Sequence, residues 1–371
     1  MLLLASLTTA FSPWRVNYAC SDPDAAAHFA IAYLGARARE PTPVPGRNAS
    51  CAKIRQVDFA APPGGRPFEL SFVDSFDKRG GSFTPANWTA YASRLYGNLS
   101  SSSYTAWADN HAGIYVPSIV PYLDAFDKGG VEFFTRRQTA TDQGCDVFVL
   151  LPGCGQLFEL RADDCPASTP VHDWNLCEPT NVSASLGRSR NAWVVPWKMT
   201  FASSDPAAAA AFVVRALGGT VIAPSADLNQ SCGTVRWLAL PKGGSGANDD
   251  TDGFQLHFVY NPRKRTGPLT VERFEKYVSQ LHGNLSAING SAALYDQWLD
   301  SHVALLVDDV TVYTSRFDAL GVPYFTRGEL EGPQEIFVEA PGGIIIDIAH
   351  SGRAKTPLGL APWHLCTGDT V

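Results

Sequence analysis

YDQWLDSHVALLVDD, residues Tyr295 to Asp309, has a twin far upstream in YTAWADNHAGIYVPS, residues Tyr104 to Ser118. Both read Tyr, two residues, Trp, one, Asp, one, His, then an apolar run closing on a helix-capping residue type. The copying extends outward from this pair. SDPDAAAHFAIAYLGA (21 to 36) matches SDPAAAAAFVVRALGG (204 to 219), FELSFV (68 to 73) matches FQLHFV (254 to 259), and YASRLYGNLS (91 to 100) matches YVSQLHGNLS (277 to 286). WNLC at 174 to 177 and WHLC at 363 to 366 repeat the ends. The chain therefore consists of two homologous halves.

A shorter period lies inside each half. Four times an apolar stretch leads to a capping residue, a helix of about three turns and a stopping glycine: Asp22 to Gly35, Ser118 to Gly129, Asp205 to Gly218 and Asp309 to Gly321. In the first and third, proline follows the capping Asp, where its missing N–H costs nothing. Strand-like segments and a turn follow each helix, as in IFVEAPGGIIIDIA (336 to 349). Every unit thus reads β-α-β-β-β.

Composition narrows the function classes. A chain of 371 residues with 45% hydrophobic content is globular and long enough for two domains. A formal net charge of −7 without a long basic block argues against a nucleic-acid partner. Seven of the asparagines stand in Asn-X-Ser/Thr sequons (Asn48, Asn87, Asn98, Asn181, Asn229, Asn284, Asn289), which matter only in a secretory lumen. The eight cysteines form no CxxC pair. Secretion with disulfides is the expectation, and residues 1–10, MLLLASLTTA, are a candidate signal segment. No later apolar run approaches the roughly 20 residues of a membrane span.

The order of elements resembles the vicinal oxygen chelate superfamily, which includes glyoxalase I, extradiol dioxygenases and bleomycin-resistance proteins. It is clearest in the fourth unit, where HVALLVDD, a helix ending ALGV, PYF and EAPGGIIIDI follow the family pattern. The resemblance implies an α+β fold of two tandem domains, each of paired βαβββ units forming a curved mixed sheet around a cleft. Domain 1 would span 11–162, with units at about 14–75 and 108–162, and domain 2 would span 193–350, with units at about 194–260 and 299–350. Residues 163–192 form a Cys-containing linker and 351–371 a C-terminal tail.

In that superfamily, metal ligands come from the first and last strands of each unit, usually His on the first and Glu on the last. Imidazole and carboxylate together suit Zn, Fe, Mn or Ni, with open positions for two substrate oxygens. Carried over by position, the second unit supplies His111 and Glu159, and the fourth supplies His302 and Asp347. The first and third units depart from the pattern. Arg15 and Lys198 stand where His would be, seven residues before the capping Asp, and the last-strand positions hold Glu69 and Gln255. Grouped by domain, one site is Arg15, Glu69, His111 and Glu159, and the other is Lys198, Gln255, His302 and Asp347. Each cation is expected to point into its cleft and contact a carboxylate, Glu69 or Glu159 for Arg15 and Asp347 for Lys198, since an unneutralised buried charge carries a large penalty. The competing reading of His111 with Glu159, and of His302 with Asp347, is mutual satisfaction inside a cleft without metal. His257 lies one alternation beyond Gln255 on the same strand face. Trp107, Trp298, Tyr104 and Tyr295 read as packing residues, and Asp109 and Asp300 as caps or turns.

The repeat makes Cys51 equivalent to Cys232 and Cys177 equivalent to Cys366, so bridges Cys51–Cys177 and Cys232–Cys366 are the simplest symmetric pairing. The pairing of Cys20, Cys145, Cys154 and Cys165 stays open. Three functions follow from these residues. One is a secreted glycoprotein binding a small organic ligand in clefts with degenerate metal sites, Arg15 or Lys198 receiving the ligand's anionic group. Another is a divalent-metal-dependent lyase, isomerase or dioxygenase acting through domain 1. The third is a structural surface glycoprotein.

Overall fold

The computed structural model describes residues 11–39, 54–61, 66–74, 110–137, 145–167, 169, 172–173, 193–223, 235–241, 253–260, 302–328 and 334–350. The first unit is β1 (Ser12–Cys20), α1 (Pro23–Tyr33), β2 (Arg37–Arg39), β3 (Ile54–Phe59) and β4 (Phe68–Asp74). The second is β5 (His111–Tyr115), α2 (Val120–Gly129), β6 (Phe133–Arg137), β7 (Cys145–Leu151) and β8 (Gln156–Ala162). A two-residue strand, β9 (His172–Asp173), follows and pairs with β6. The third unit is β10 (Val195–Ser203), α3 (Pro206–Phe212) continued by a π-helical turn (Val213–Leu217), β11 (Thr220–Ala223), β12 (Val235–Ala239) and β13 (Gln255–Tyr260). The fourth is β14 (His302–Val307), α4 (Thr311–Leu320), β15 (Tyr324–Gly328), β16 (Gln334–Ala340) and β17 (Ile344–His350). All four units have the β-α-β-β-β order read from the sequence, and the class is α+β.

Two mixed sheets result, and their pairing crosses the halves. The first runs β15-β16-β17-β14-β1-β4-β3-β2 and the second β11-β12-β13-β10-β5-β8-β7-β6-β9. Within each unit the first strand lies parallel to the last, as β1 does to β4 and β10 to β13. First strands then meet antiparallel at the centre, β1 with β14 and β10 with β5. The fold is thus built of paired units as expected, but unit one pairs with unit four and unit two with unit three. The grouping of site residues by half is corrected accordingly: a strand is completed by whichever first-strand edge lies beside it, not by the nearest in sequence.

Alternation along the strands divides each sheet into a core face and a cleft face. Val16, Tyr18 and Cys20 of β1, Leu70 and Phe72 of β4, Met199 and Phe201 of β10, and Ile344, Ile346 and Ile348 of β17 belong to one continuous apolar core. Helices from each half join that core in pairs: Tyr33 of α1 lies against Phe126 of α2, and Phe212 of α3 against Phe317 of α4. The intervening positions, Arg15, Asn17, Glu69, Lys198, Thr200 and Asp347 among them, lie on the opposite faces.

The helix starts show which signals act locally. Asp22 accepts the Ala25 N–H at 3.0 Å and Asp205 the Ala208 N–H at 2.9 Å, each followed by proline as read. Ser118 does not cap α2: the Ile119 N–H is taken by Asp164, at 2.8 Å, from beyond β8. The left-handed residue ending α2 is Gly130, with φ +62°, and not Gly129.

Two disulfides lie among the described residues, Cys20–Cys154 and Cys145–Cys165. Cys20–Cys154 ties the end of β1 in the first sheet to the β7–β8 turn of the second. The other half makes the same approach without sulfur, because Ser203 ends β10 and a Cβ on Gly342, in the β16–β17 turn, would lie 3.1 Å from its Cβ. Cys51, Cys177, Cys232 and Cys366 lie outside the described residues, as do all seven sequons, residues 1–10 and the Tyr-Trp-Asp lead-ins at 104 to 109 and 295 to 300. No helix among the described residues is long and apolar enough to cross a membrane.

Candidate functional site

Both central strands carry an irregularity at the same place. In β1 the register slips between Pro13, opposite Leu305, and Arg15, opposite Ala304. In β10 it slips between Pro196, opposite Ile114, and Lys198, opposite Gly113. The extra residue is tryptophan both times, Trp14 and Trp197. Such a bulge re-aims side chains that regular alternation would send to opposite faces. Here it sets the cation over its neighbour's indole: the Arg15 guanidinium lies 4.3 Å from the Trp14 ring centre, and Lys198 Nζ lies 4.2 Å from that of Trp197. Pro-Trp-cation, at 13 to 15 and 196 to 198, is a repeated word that the sequence reading passed over.

In the second cleft, on the nine-stranded sheet, Lys198 Nζ stands 2.7 Å from Glu159 Oε2. His111 Nε2 meets the same oxygen at 3.1 Å, and its ring stands edge-on to Phe148. His257 Nε2 and Gln255 Oε1 are 2.8 Å apart, which places His257 beside Gln255 as expected. Register lays these residues out in rows: Gln255, Lys198, Gly113 and Glu159 in one, with His257, Thr200 and His111 in the next. Gly113 leaves room for the lysine stem, since a Cβ there would sit 3.0 Å from Lys198 Cγ. Further along, Arg161 pairs with Asp146 at 2.7 Å, below the Tyr115 and Trp197 rings. Burial pushes the Tyr115 phenol well above its ordinary value, against the opposing pull of Arg161.

The first cleft, on the eight-stranded sheet, holds Arg15, Glu69, His302 and Asp347, joined by Glu335. Arg15 is 3.8 Å from Glu69 and 3.5 Å from each of Asp347 and Glu335. Arg39 of β2 closes on the other oxygen of Glu69. The Asn17 amide donates to His302 Nε2, so that histidine turns to asparagine where its counterpart His111 turns to glutamate. Both cations contact carboxylates as anticipated. Arg15 keeps its expected partner Glu69, but the crossed pairing gives it Asp347 as well and gives Lys198 Glu159 in place of Asp347.

A divalent ion fits neither arrangement. It would need the oxygens of Glu159 and Asp347, and in each cleft a fixed cation already approaches that carboxylate and would repel a second positive charge. Among the described residues no three His, Cys, Asp or Glu side chains come together in a group able to hold a metal ion. His111 and Glu159 are brought together as the sequence grouped them, while Glu69 joins His302 and Asp347. Asn17, Thr200, Asp146, Arg161 and Glu335 were missed. Asn17, Thr200 and Arg161 each stand one alternation from a residue already singled out, whereas Asp146 and Glu335 lie on strands without such a residue and are placed by cross-strand register and by their contacts with Arg161 and Arg15.

Solved structures share this architecture. A candidate dioxygenase from Bacillus subtilis matches at 13% identity over 94% of this chain and 87% of its own, with a TM-score of 0.52. A variant of glyoxalase I from Zea mays matches at 14% identity over 92% of each chain, with a TM-score of 0.50. No family model and no curated protein matches the sequence. At such identities the likeness is one of fold.

Proposed function

We propose that this chain, which has the fold of the vicinal oxygen chelate proteins, binds a small organic molecule without a metal ion, a protein cation standing in each cleft where the superfamily places its metal. The observation that carries this reading is the 2.7 Å contact of Lys198 with Glu159, echoed by Arg15 beside Asp347. A single degenerate site would also suit decay. Two equivalent strands that each place a cation over an indole and against the last-strand carboxylate argue for a retained arrangement. The seven sequons and the disulfides favour a secreted glycoprotein as its setting.

Elemental analysis of protein purified without chelator or histidine tag tests the proposal, and Zn, Fe, Mn and Ni are expected well below one equivalent. Arg15→His should then raise divalent-ion affinity by about tenfold or more in calorimetry, since it removes the repelling charge and adds an imidazole beside Glu69, His302 and Asp347. Stoichiometric metal in the parent that disappears in His111→Ala would instead establish the metal-dependent lyase or dioxygenase.

A further inference from the structure

Along β10 three hydrogen-bond donors stand in succession in the second cleft: the Trp197 indole N–H, the Lys198 ammonium and the Thr200 hydroxyl. The bulge brings the first two together, and alternation supplies the third. Trp197 and Thr200 are each only 3% exposed, and neither Trp197 Nε1 nor Thr200 Oγ1 has a hydrogen-bond partner among the described residues. A bound acceptor would return the desolvation cost that such buried donors carry. The first cleft differs at the equivalent positions. There the Asn17 amide is engaged by His302, and Arg15 stands among three carboxylates.

Charge decides which acceptor suits these donors. Lys198 already stands against Glu159 and Arg161 against Asp146, so each of these buried cations faces a protein carboxylate. A carboxylate ligand would bring an unmatched buried charge close to Glu159, and an ammonium would meet donors where it needs acceptors. We infer that the second cleft takes a small uncharged molecule through a carbonyl or amide oxygen, received by the Trp197 indole N–H and the Thr200 hydroxyl. This rests on reading the cleft as a ligand site, and it replaces the expectation that Lys198 receives an anionic group. Phe148 and Leu157, on the cleft face of β7 and β8, supply apolar surface for the body of such a molecule.

Benzamide, benzoate and benzylamine share a ring and differ in charge, which makes them suitable probes for calorimetry on the full chain. Benzamide is expected to bind at least about tenfold more tightly than either charged probe. Trp197→Phe and Thr200→Val should each weaken it by about tenfold, the worth of one hydrogen bond. Trp14→Phe, in the first cleft, should leave it unchanged, and circular dichroism checks that every variant is folded. Equal or tighter binding of benzoate or benzylamine, no benzamide binding, or benzamide affinity untouched by both folded β10 variants overturns the inference. Metal content separates the two failures: metal-free protein with the wrong probe preference sinks only this assignment, whereas stoichiometric metal sinks the metal-independent reading beneath it.

Discussion

Lys198 and Glu159 are almost wholly removed from water, with side-chain exposures of 5% and 0%, and they stand 2.7 Å apart, with His111 on the same carboxylate oxygen. Desolvating two ions costs nearly what their attraction returns, and the asymmetry appears when one is removed. Lys198→Met should cost about 3–5 kcal/mol in urea unfolding, because it leaves Glu159 buried without its ammonium. Lys198→Met combined with Glu159→Leu should recover most of that loss; a double variant no more stable than the single would mean that the pair is not the source of the cost. The placement of these two residues was half legible in the sequence. Lys198 stands seven residues before Asp205 as His111 does before Ser118, so alternation and a fixed distance to the helix gave the strand face. The indole beneath the ammonium was not legible, since in a regular strand Trp197 would face away from Lys198. The bulge reverses that, and its only written sign is that Pro-Trp precedes both cations.

Helix boundaries were legible where cap and helix adjoin, and less so where the cap is distant. Asp22 and Asp205 satisfy the helix behind their prolines, but α2 is served by Asp164, which no local pattern could announce. In the fourth unit Asp309 lies one residue ahead of the cap position and still takes both the amide and the hydroxyl of Thr311, at 2.8 and 2.6 Å. The Thr311 hydroxyl is the main cause holding the Asp309 carboxyl below its ordinary value. Asp309→Ala should therefore destabilise the chain by about 1 kcal/mol at neutral pH, a usual worth for such a contact. A lowered folded-state value means that the contribution is full above the ordinary carboxylate range and is lost as pH falls through the lowered one. Parent and variant stabilities should converge in acid. A gap that stays constant to low pH would show that Asp309 acts through something other than its charge.

The whole molecule is tied in two directions. Helix pairs and the Cys20–Cys154 bridge hold unit one to unit two, while the sheets join unit one to unit four and unit two to unit three. The repeat announced four units, but it could not say which edges meet, because β5 and β14 are homologous and offer β1 the same kind of edge. Completing the first sheet also requires strands from opposite ends of the chain, a long-range pairing that folds slowly. A half expressed alone would keep its helix pair and leave the first strands of both its units unpaired, and such edges recruit other chains. Residues 11–192 should therefore not be monomeric. The expected product is a symmetric dimer in which β1 of each copy pairs with β5 of the other, placing Arg15 and Glu69 beside His111 and Glu159. Co-expression with residues 193–371 should divert it into a one-to-one complex, read by light scattering and by native mass. A well-folded monomer of residues 11–192, with near-ultraviolet dichroism and cooperative unfolding, would show that the crossed pairing is dispensable and that each half closes its own sheet.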